Sequence, residues 1–406
     1  MKRFLVVVLD GFGIGHMKDA EKVRPQDVGS NTCKHILERK TKLKLPNLEK
    51  LGLMNALGEE VSSMKFSHSA TFGRAELMHF GADTFYGHQE IMGTNPKMPI
   101  KEPFYKAADR VYEALVKEGY KVEYVYGKQG KYLKVNNALT VADNIEADPG
   151  QAYNITSALD VITFEEVLKI GKIVRSKVYV SRVITFGGKN VTIEDILSAE
   201  EEKENGYIGI NAPKSGVYNE GYNVIHLGYG IDPEVQVPTI MGKTGMKVTL
   251  IGKVADIVIN DYGKSITGVD TEEVLKVTID ELKKIQEGFI CTNVQETDLS
   301  GHSENVEAYA NKLEIADKYI GEIMEMLQDK DILLVMADHG NDPTIGHSHH
   351  TREMVPILIY GNNINKVELG TRKTLSDVGA TVAEYFNIIP PENGTSFLKE
   401  IRGNLS

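Results

Sequence analysis

The chain opens on an unbroken apolar run, Phe4 to Leu9, rich in valine. A run this short and continuous is the pattern of a strand buried on both faces of a parallel sheet. Similar runs recur at 247–251, 288–294, 332–336 and 355–359. Helical periodicity lies between the later ones. Residues 271–287 carry Thr271 as a candidate N-cap, 303–328 read as a long amphipathic helix, and 373–387 as a third helix. Strands alternating with helices predict an α/β fold with a mostly parallel sheet sandwiched by helices.

The pattern changes from 98 to 223, where the chain is more polar and more broken. "YKVEYVYGK" and "KYLKVN" suggest a hairpin, "TFEEVLKIGKIVRSK" a helix and "VYVSRVITFGG" a strand. This α+β stretch reads as a smaller domain inserted into a core formed by 1–97 and 224–406. "KMPIKEP" and "NAPKSGVYNEGYN" supply Pro- and Gly-rich crossings.

Four of the places just outside the apolar runs carry side chains suited to metal binding. Asp10 ends the first run, Asp298 and His302 follow "FICTNVQET", Asp338 and His339 close "ILLVMA", and His350 precedes "VPILI". In an open parallel sheet, ligands bind at the carboxyl ends of the strands, so distant residues can converge on one edge. The mixed nitrogen and oxygen set suits Zn²⁺ or Mn²⁺ and is large enough for two ions. Such a pair can hold the attacking and leaving oxygens of a displacement at phosphorus. Each piece has a plainer reading. A lone aspartate at a strand end is more often a turn former, and Asp298 with His302 fits a helix cap beside a surface histidine. Asp338–His339 is harder to dismiss, because an unpaired carboxylate closing an apolar run is costly. Spacing alone does not choose among His347, His349 and His350.

A nucleophile is available in "GADTFYGHQEIMG", where Thr84 enters a helix. A helix start favours an anion, and a hydroxyl near a divalent ion ionises more readily. The alternative is that Asp83 or Thr84 merely caps the helix. His88 and Glu90 are either supporting residues or ordinary first-turn polar groups.

Composition narrows the partners. The chain has 406 residues, long enough for two domains, and is 41% hydrophobic with no Trp. Its net charge of -11 argues against nucleic acid or an anionic membrane as the main partner. Two cysteines, Cys33 and Cys291, make no disulfide scaffold, so a reducing, cytoplasmic setting is expected. Asp10 interrupts the N-terminal run too early for a signal peptide. No stretch reaches the roughly 18 apolar residues of a membrane helix.

Together these segments resemble phosphopentomutases of the alkaline phosphatase superfamily. "VLDGFGIG", "LPNLEKLGL", "DTFYGHQEIMG", "IGKVADI" and "ADHGNDPTIGHSHHTREMVPILIYG" are each similar to a motif of that family. The resemblance implies an alkaline-phosphatase-like core, covered over about 1–97 and 224–400, with the inserted segment as a cap over the substrate. It implies that Thr84 becomes phosphorylated. Asp10, Asp338 and His339, with Thr84, would surround one metal; Asp298, His302 and His350 would surround the other. The family's His-Thr-Arg-Glu run aligns on residues 350–353, which selects His350. The implied metals are Mn²⁺, with Zn²⁺ or Mg²⁺ as alternatives. The implied substrate is a pentose phosphate of the ribose 1-phosphate or ribose 5-phosphate type, with a sugar bisphosphate as a candidate activator. The same dinuclear site would also serve a phosphatase or phosphodiesterase.

Departures concentrate in the inserted segment. Asp298 and His302 stand four apart, whereas the family commonly has one more residue there. Tyr86 and Gln89 replace a Thr and a Trp. Where the family places a phosphate-binding Arg after its Arg-Val-Ile-Ala, this chain has Thr185 and Phe186. Leu159 occupies an Asp position in "TSALDV", and a Gly-Asn-Lys-Pro-Ala-Ser-Gly motif has no counterpart. Lys172, Arg175 and Lys214 could bind phosphate instead, although each alone fits a solvated basic face. The substrate-binding residues are therefore not assigned.

Overall fold

A computed structural model describes residues 2–146 and 149–402. The chain divides into two compact units, Met1–Pro96 with Asp232–Ser406, and Lys97–Ile231. Each encloses its own apolar core.

The first unit is built on an eight-stranded sheet. Its order is 264–266, 247–251, 287–294, 2–9, 332–336, 355–360, 71–75, 368–372. The strand Lys2–Leu9 is central and pairs in parallel with Glu287–Val294 on one side and Ile332–Met336 on the other. Phe4 to Val8 are fully buried, which is why their run shows no alternation. Helices Thr271–Lys284, Val306–Met326 and Ser376–Phe386 flank this sheet. Asp270, not Thr271, caps the first of these, accepting from the Glu273 amide at 2.9 Å.

One strand departs from the parallel pattern in a way that matters for function. Val355–Tyr360 runs antiparallel to Ile332–Met336. Its start therefore lies at the same sheet edge as the ends of the parallel strands. His350 precedes a strand, whereas Asp10 and Asp338 follow theirs, and this reversal brings all three to one edge.

The second unit has a six-stranded sheet ordered 223–228, 182–188, 152–158, 139–143, 131–135, 122–126. The expected hairpin is present as Val122–Tyr126 paired with Lys131–Val135. Asn223–Gly228 pairs with Arg182–Gly188, so residues 224–231 fall in this unit rather than in the core to which the sequence assigned them. Helices Phe104–Lys117 and Phe164–Arg175 pack on this sheet. No helix among the described residues is long and apolar enough to cross a membrane.

Asp143, at the end of Leu139–Asp143, is fully buried. Its carboxylate accepts from the amides of Phe104 at 2.8 Å and Ile208 at 3.1 Å. Burial outweighs these two bonds and pushes its pKa up to about 7. An unfolded aspartate titrates near 3.9, so the fold binds this proton more tightly. The stabilisation is complete below about pH 4 and is lost as pH rises through about 7. Thermal midpoints should show it: the wild-type value should fall relative to Asp143→Asn as pH is raised across that window. Parallel pH profiles would contradict the assignment.

Candidate metal centre

Thr84 begins the helix Thr84–Ile91. The cap is Asp83, whose Oδ1 accepts from the Tyr86 amide at 3.0 Å. Capping is thus done by the neighbour, and the Thr84 hydroxyl points elsewhere. Its Oγ1 lies 2.6 Å from His339 Nε2 and 3.4 Å from Asp10 Oδ1. Gly87 lets this helix come close to the strand end: a Cβ there would sit 2.8 Å from the Asp338 carbonyl oxygen.

Asp10, Asp338 and His339 are fully buried and form one group whose ligand atoms lie within 4.8 Å of one another. Asp298, His339 and His350 form a second such group. His302 adjoins it, with Nε2 3.2 Å from Asp298 Oδ2 and 2.9 Å from His350 Nε2. His339 thus stands within reach of both groups, whereas the resemblance assigned it to one.

The imidazoles share one tautomer. Nδ1 of His302 donates to the Ser348 carbonyl at 2.6 Å, Nδ1 of His339 to Gly340 at 2.9 Å, and Nδ1 of His350 to Ala82 at 3.2 Å. A carbonyl only accepts, so the proton of each neutral ring sits on Nδ1 and each Nε2 presents a lone pair. Two of these lone pairs face each other across 2.9 Å, beside a carboxylate. That arrangement repels unless a proton or a cation lies between them. Asp338 Oδ2 adds a second deficit. It is buried without a hydrogen bond, because its neighbour His88 Nδ1, 3.2 Å away, donates to the Thr84 carbonyl instead. Unsatisfied acceptors in the two groups are what divalent cations bound by nitrogen and carboxylate would satisfy.

Protonation reflects the same crowding. Burial, then the charges of Asp338 and Asp298, raise the Asp10 pKa to about 6. His339 is raised well above the ordinary imidazole range, because Asp338, Asp10 and Asp298 together outweigh its burial. Burial opposes ionisation of Asp298, yet the imidazoles of His302 and His350 beside it hold it well below the ordinary range.

Several residues support the two groups, and of these Asn293 and Asn341 carry no signal in one dimension. Asn293 Nδ2 donates to Asp10 Oδ2 and to His88 Nε2, each at 3.0 Å, tying the central strands to the Thr84 helix. Asn341 donates to Asp298 Oδ1 at 2.7 Å. Glu353 is buried and accepts from the amides of Gly15 and Thr32 at 3.0 and 2.9 Å. Glu90 is also buried and serves the segment before Thr84. The remaining loop histidines lie apart from both ligand groups: His347 Nε2 is 3.2 Å from Asp27 Oδ1, and His349 is exposed.

In the second unit, Phe186 is buried against Tyr218 and Tyr222, at centroid distances of 6.0 and 6.1 Å. Arg175 donates to the carbonyls of Val178 and Val180, and Lys214 pairs with Glu201.

A family model described as the metalloenzyme superfamily matches residues 2–390. A phosphopentomutase of Alkaliphilus oremlandii is 31% identical over 412 residues, covering 99% of each chain. One of Caldanaerobacter subterraneus subsp. tengcongensis is 30% identical over 424 residues, covering 99% of this chain and 98% of its own. Likeness over the whole length, spanning both units, places the chain in the metalloenzyme superfamily and, within it, in the phosphopentomutase family of isomerases.

Proposed function

We propose that the chain moves a phosphoryl group between positions of a pentose phosphate, of the ribose 1-phosphate to ribose 5-phosphate type, through a phosphothreonine at Thr84. The observation that carries the reading is the Thr84 hydroxyl beside Asp10 and His339, at a helix start whose cap is supplied by another residue. The family's relatives are phosphopentomutases, which supports the reaction class.

Asp10, Asp338 and His339 with Thr84, and Asp298, His302 and His350, would hold two divalent ions, Mn²⁺ in our reading, which supply positive charge and favour ionisation of a nearby hydroxyl. The chain's own residues do the rest. Phosphorylated Thr84 would pass its phosphoryl group to the free hydroxyl of the sugar monophosphate, the bond from phosphorus to Thr84 Oγ1 breaking as the bond to the sugar oxygen forms. The resulting bisphosphate would turn or exchange and return its other phosphoryl group to Thr84, so no phosphate is lost. The helix start at Thr84 favours the added negative charge. Asn293 and His88 fix the carboxylate and the helix on which this alignment depends. Residues 97–231 would choose the substrate.

One observation favours a second reading, a phosphatase or phosphodiesterase. Phe186 stands where the family has a phosphate-binding Arg, and the structure buries it among aromatic rings. Substrate recognition therefore differs from the family pattern even if the chemistry is kept.

Incubation with Mn²⁺, ribose 1-phosphate or ribose 5-phosphate, and a sugar bisphosphate decides between them. Interconversion of the two monophosphates is the expected result, and release of free phosphate alone would favour the hydrolase. Thr84→Ala should bind Mn²⁺ yet lose turnover by on the order of 10⁴-fold or more, as removal of a nucleophile does elsewhere. Chelation should lower the thermal midpoint, since the buried carboxylates lose their counter-charge. Mn²⁺ at about 100 times its dissociation constant should restore about 2.7 kcal/mol. A midpoint indifferent to chelator and Mn²⁺ would count against a metal centre.

A further inference from the structure

Thr84 is reached by an irregular segment. Eight residues separate the strand Thr71–Ala75 from the helix, and these residues, 76–83, form no regular structure. Backbone groups in such a stretch need partners other than a ladder. Two buried charged side chains provide them, one from each side. Glu90, six residues beyond Thr84, accepts from the amides of Met78 and His79, each at 3.0 Å. Arg352 donates to the carbonyls of Leu77, His79 and Gly81, at 3.1, 2.8 and 2.6 Å. The chain bends at residues 79–81, so the three carbonyls curve round a single guanidinium.

Every N–H of Arg352 is used. The two not given to this segment go to the Asp19 carboxylate, at 2.9 and 2.8 Å. The side chain is buried at 4% exposure, where a lost partner could not be replaced by water. Gly81 has φ +80, a left-handed conformation that turns the segment at the last carbonyl the guanidinium holds. Beyond it, His350 Nδ1 holds the carbonyl of Ala82.

We infer that Arg352 is a positioning residue for Thr84: its planar five-donor fork sets the path of residues 77–81 and so the placement of the hydroxyl. Lysine cannot do the same, because an ammonium has three donors and no fork. The inference rests on Thr84 being the phosphoryl acceptor.

The test compares wild type, Arg352→Ala and Arg352→Lys, each loaded with Mn²⁺. Both variants should retain Mn²⁺ and lose about 10²-fold in kcat with KM little changed, the effect of a small misplacement of a reacting group. Hydrogen–deuterium exchange should quicken in 77–84 and not elsewhere. Guanidinium ion should restore part of the rate and of the protection in Arg352→Ala, and neither in Arg352→Lys. Full activity in Arg352→Ala would overturn the inference. So would a loss accompanied by faster exchange throughout the first unit and no response to guanidinium. If Arg352→Ala does not fold, Arg352→Lys decides: exchange changes confined to 77–84 support the role, and unchanged or global exchange refutes it. A wild-type chain with no phosphoryl transfer would refute the reading of Thr84, while local exchange and its response to guanidinium would still decide what Arg352 does.

Discussion

Three buried carboxylates and three imidazoles converge at one sheet edge beside the Thr84 hydroxyl, and much of the first unit is arranged to make that tolerable. Like charges buried together are costly, and a buried carboxylate normally finds hydrogen bonds or a counter-ion. Here each is only partly served by the protein. Asn293 supports Asp10, Asn341 supports Asp298, and one oxygen of Asp338 has no hydrogen bond. The deficit is directional, because every imidazole aims its Nε2 into the same space while its other nitrogen is tied to a carbonyl. A fold that fixes acceptors in this way is preorganised for cations, and for the negative charge that a phosphoryl group brings to them.

The sheet explains how such a concentration is reached. Seven of the eight strands run the same way and end at one edge, and the antiparallel Val355–Tyr360 begins there. Residues separated by more than three hundred positions therefore meet at that edge. Next to this edge, buried charges do the work of regular structure. Glu353 gathers the amides of Gly15 and Thr32, and Glu90 and Arg352 together hold the approach to Thr84. These charges are satisfied by several donors or acceptors each, which is the condition for keeping an ion out of water.

Much of this is legible in the linear sequence, for a physical reason. Strands buried on both faces must be continuously apolar, so the run 332–336 and the polar pair that closes it stand out against any background. The direction of 355–360 is not legible, since an apolar run looks alike in either sense, and the convergence of His350 with Asp10 depends on it. The cap at Asp270 rather than Thr271 is a choice between adjacent residues of equal aptitude. Asn293, Asn341 and Arg352 give no signal alone, because their importance lies in partners distant along the chain. In the second unit, Val224 to Gly228 complete a sheet as an edge strand, and nothing local distinguishes that from a return to the core.

The central claim is that this cluster binds a pair of divalent cations beside the Thr84 oxygen. Crystals grown with Mn²⁺, with diffraction recorded on both sides of the manganese absorption edge, test it most directly. The account predicts two anomalous peaks, one among Asp10, Asp338, His339 and Thr84 and one among Asp298, His302 and His350. A map with no anomalous density at these residues, in crystals of a chain saturated with Mn²⁺, would contradict it.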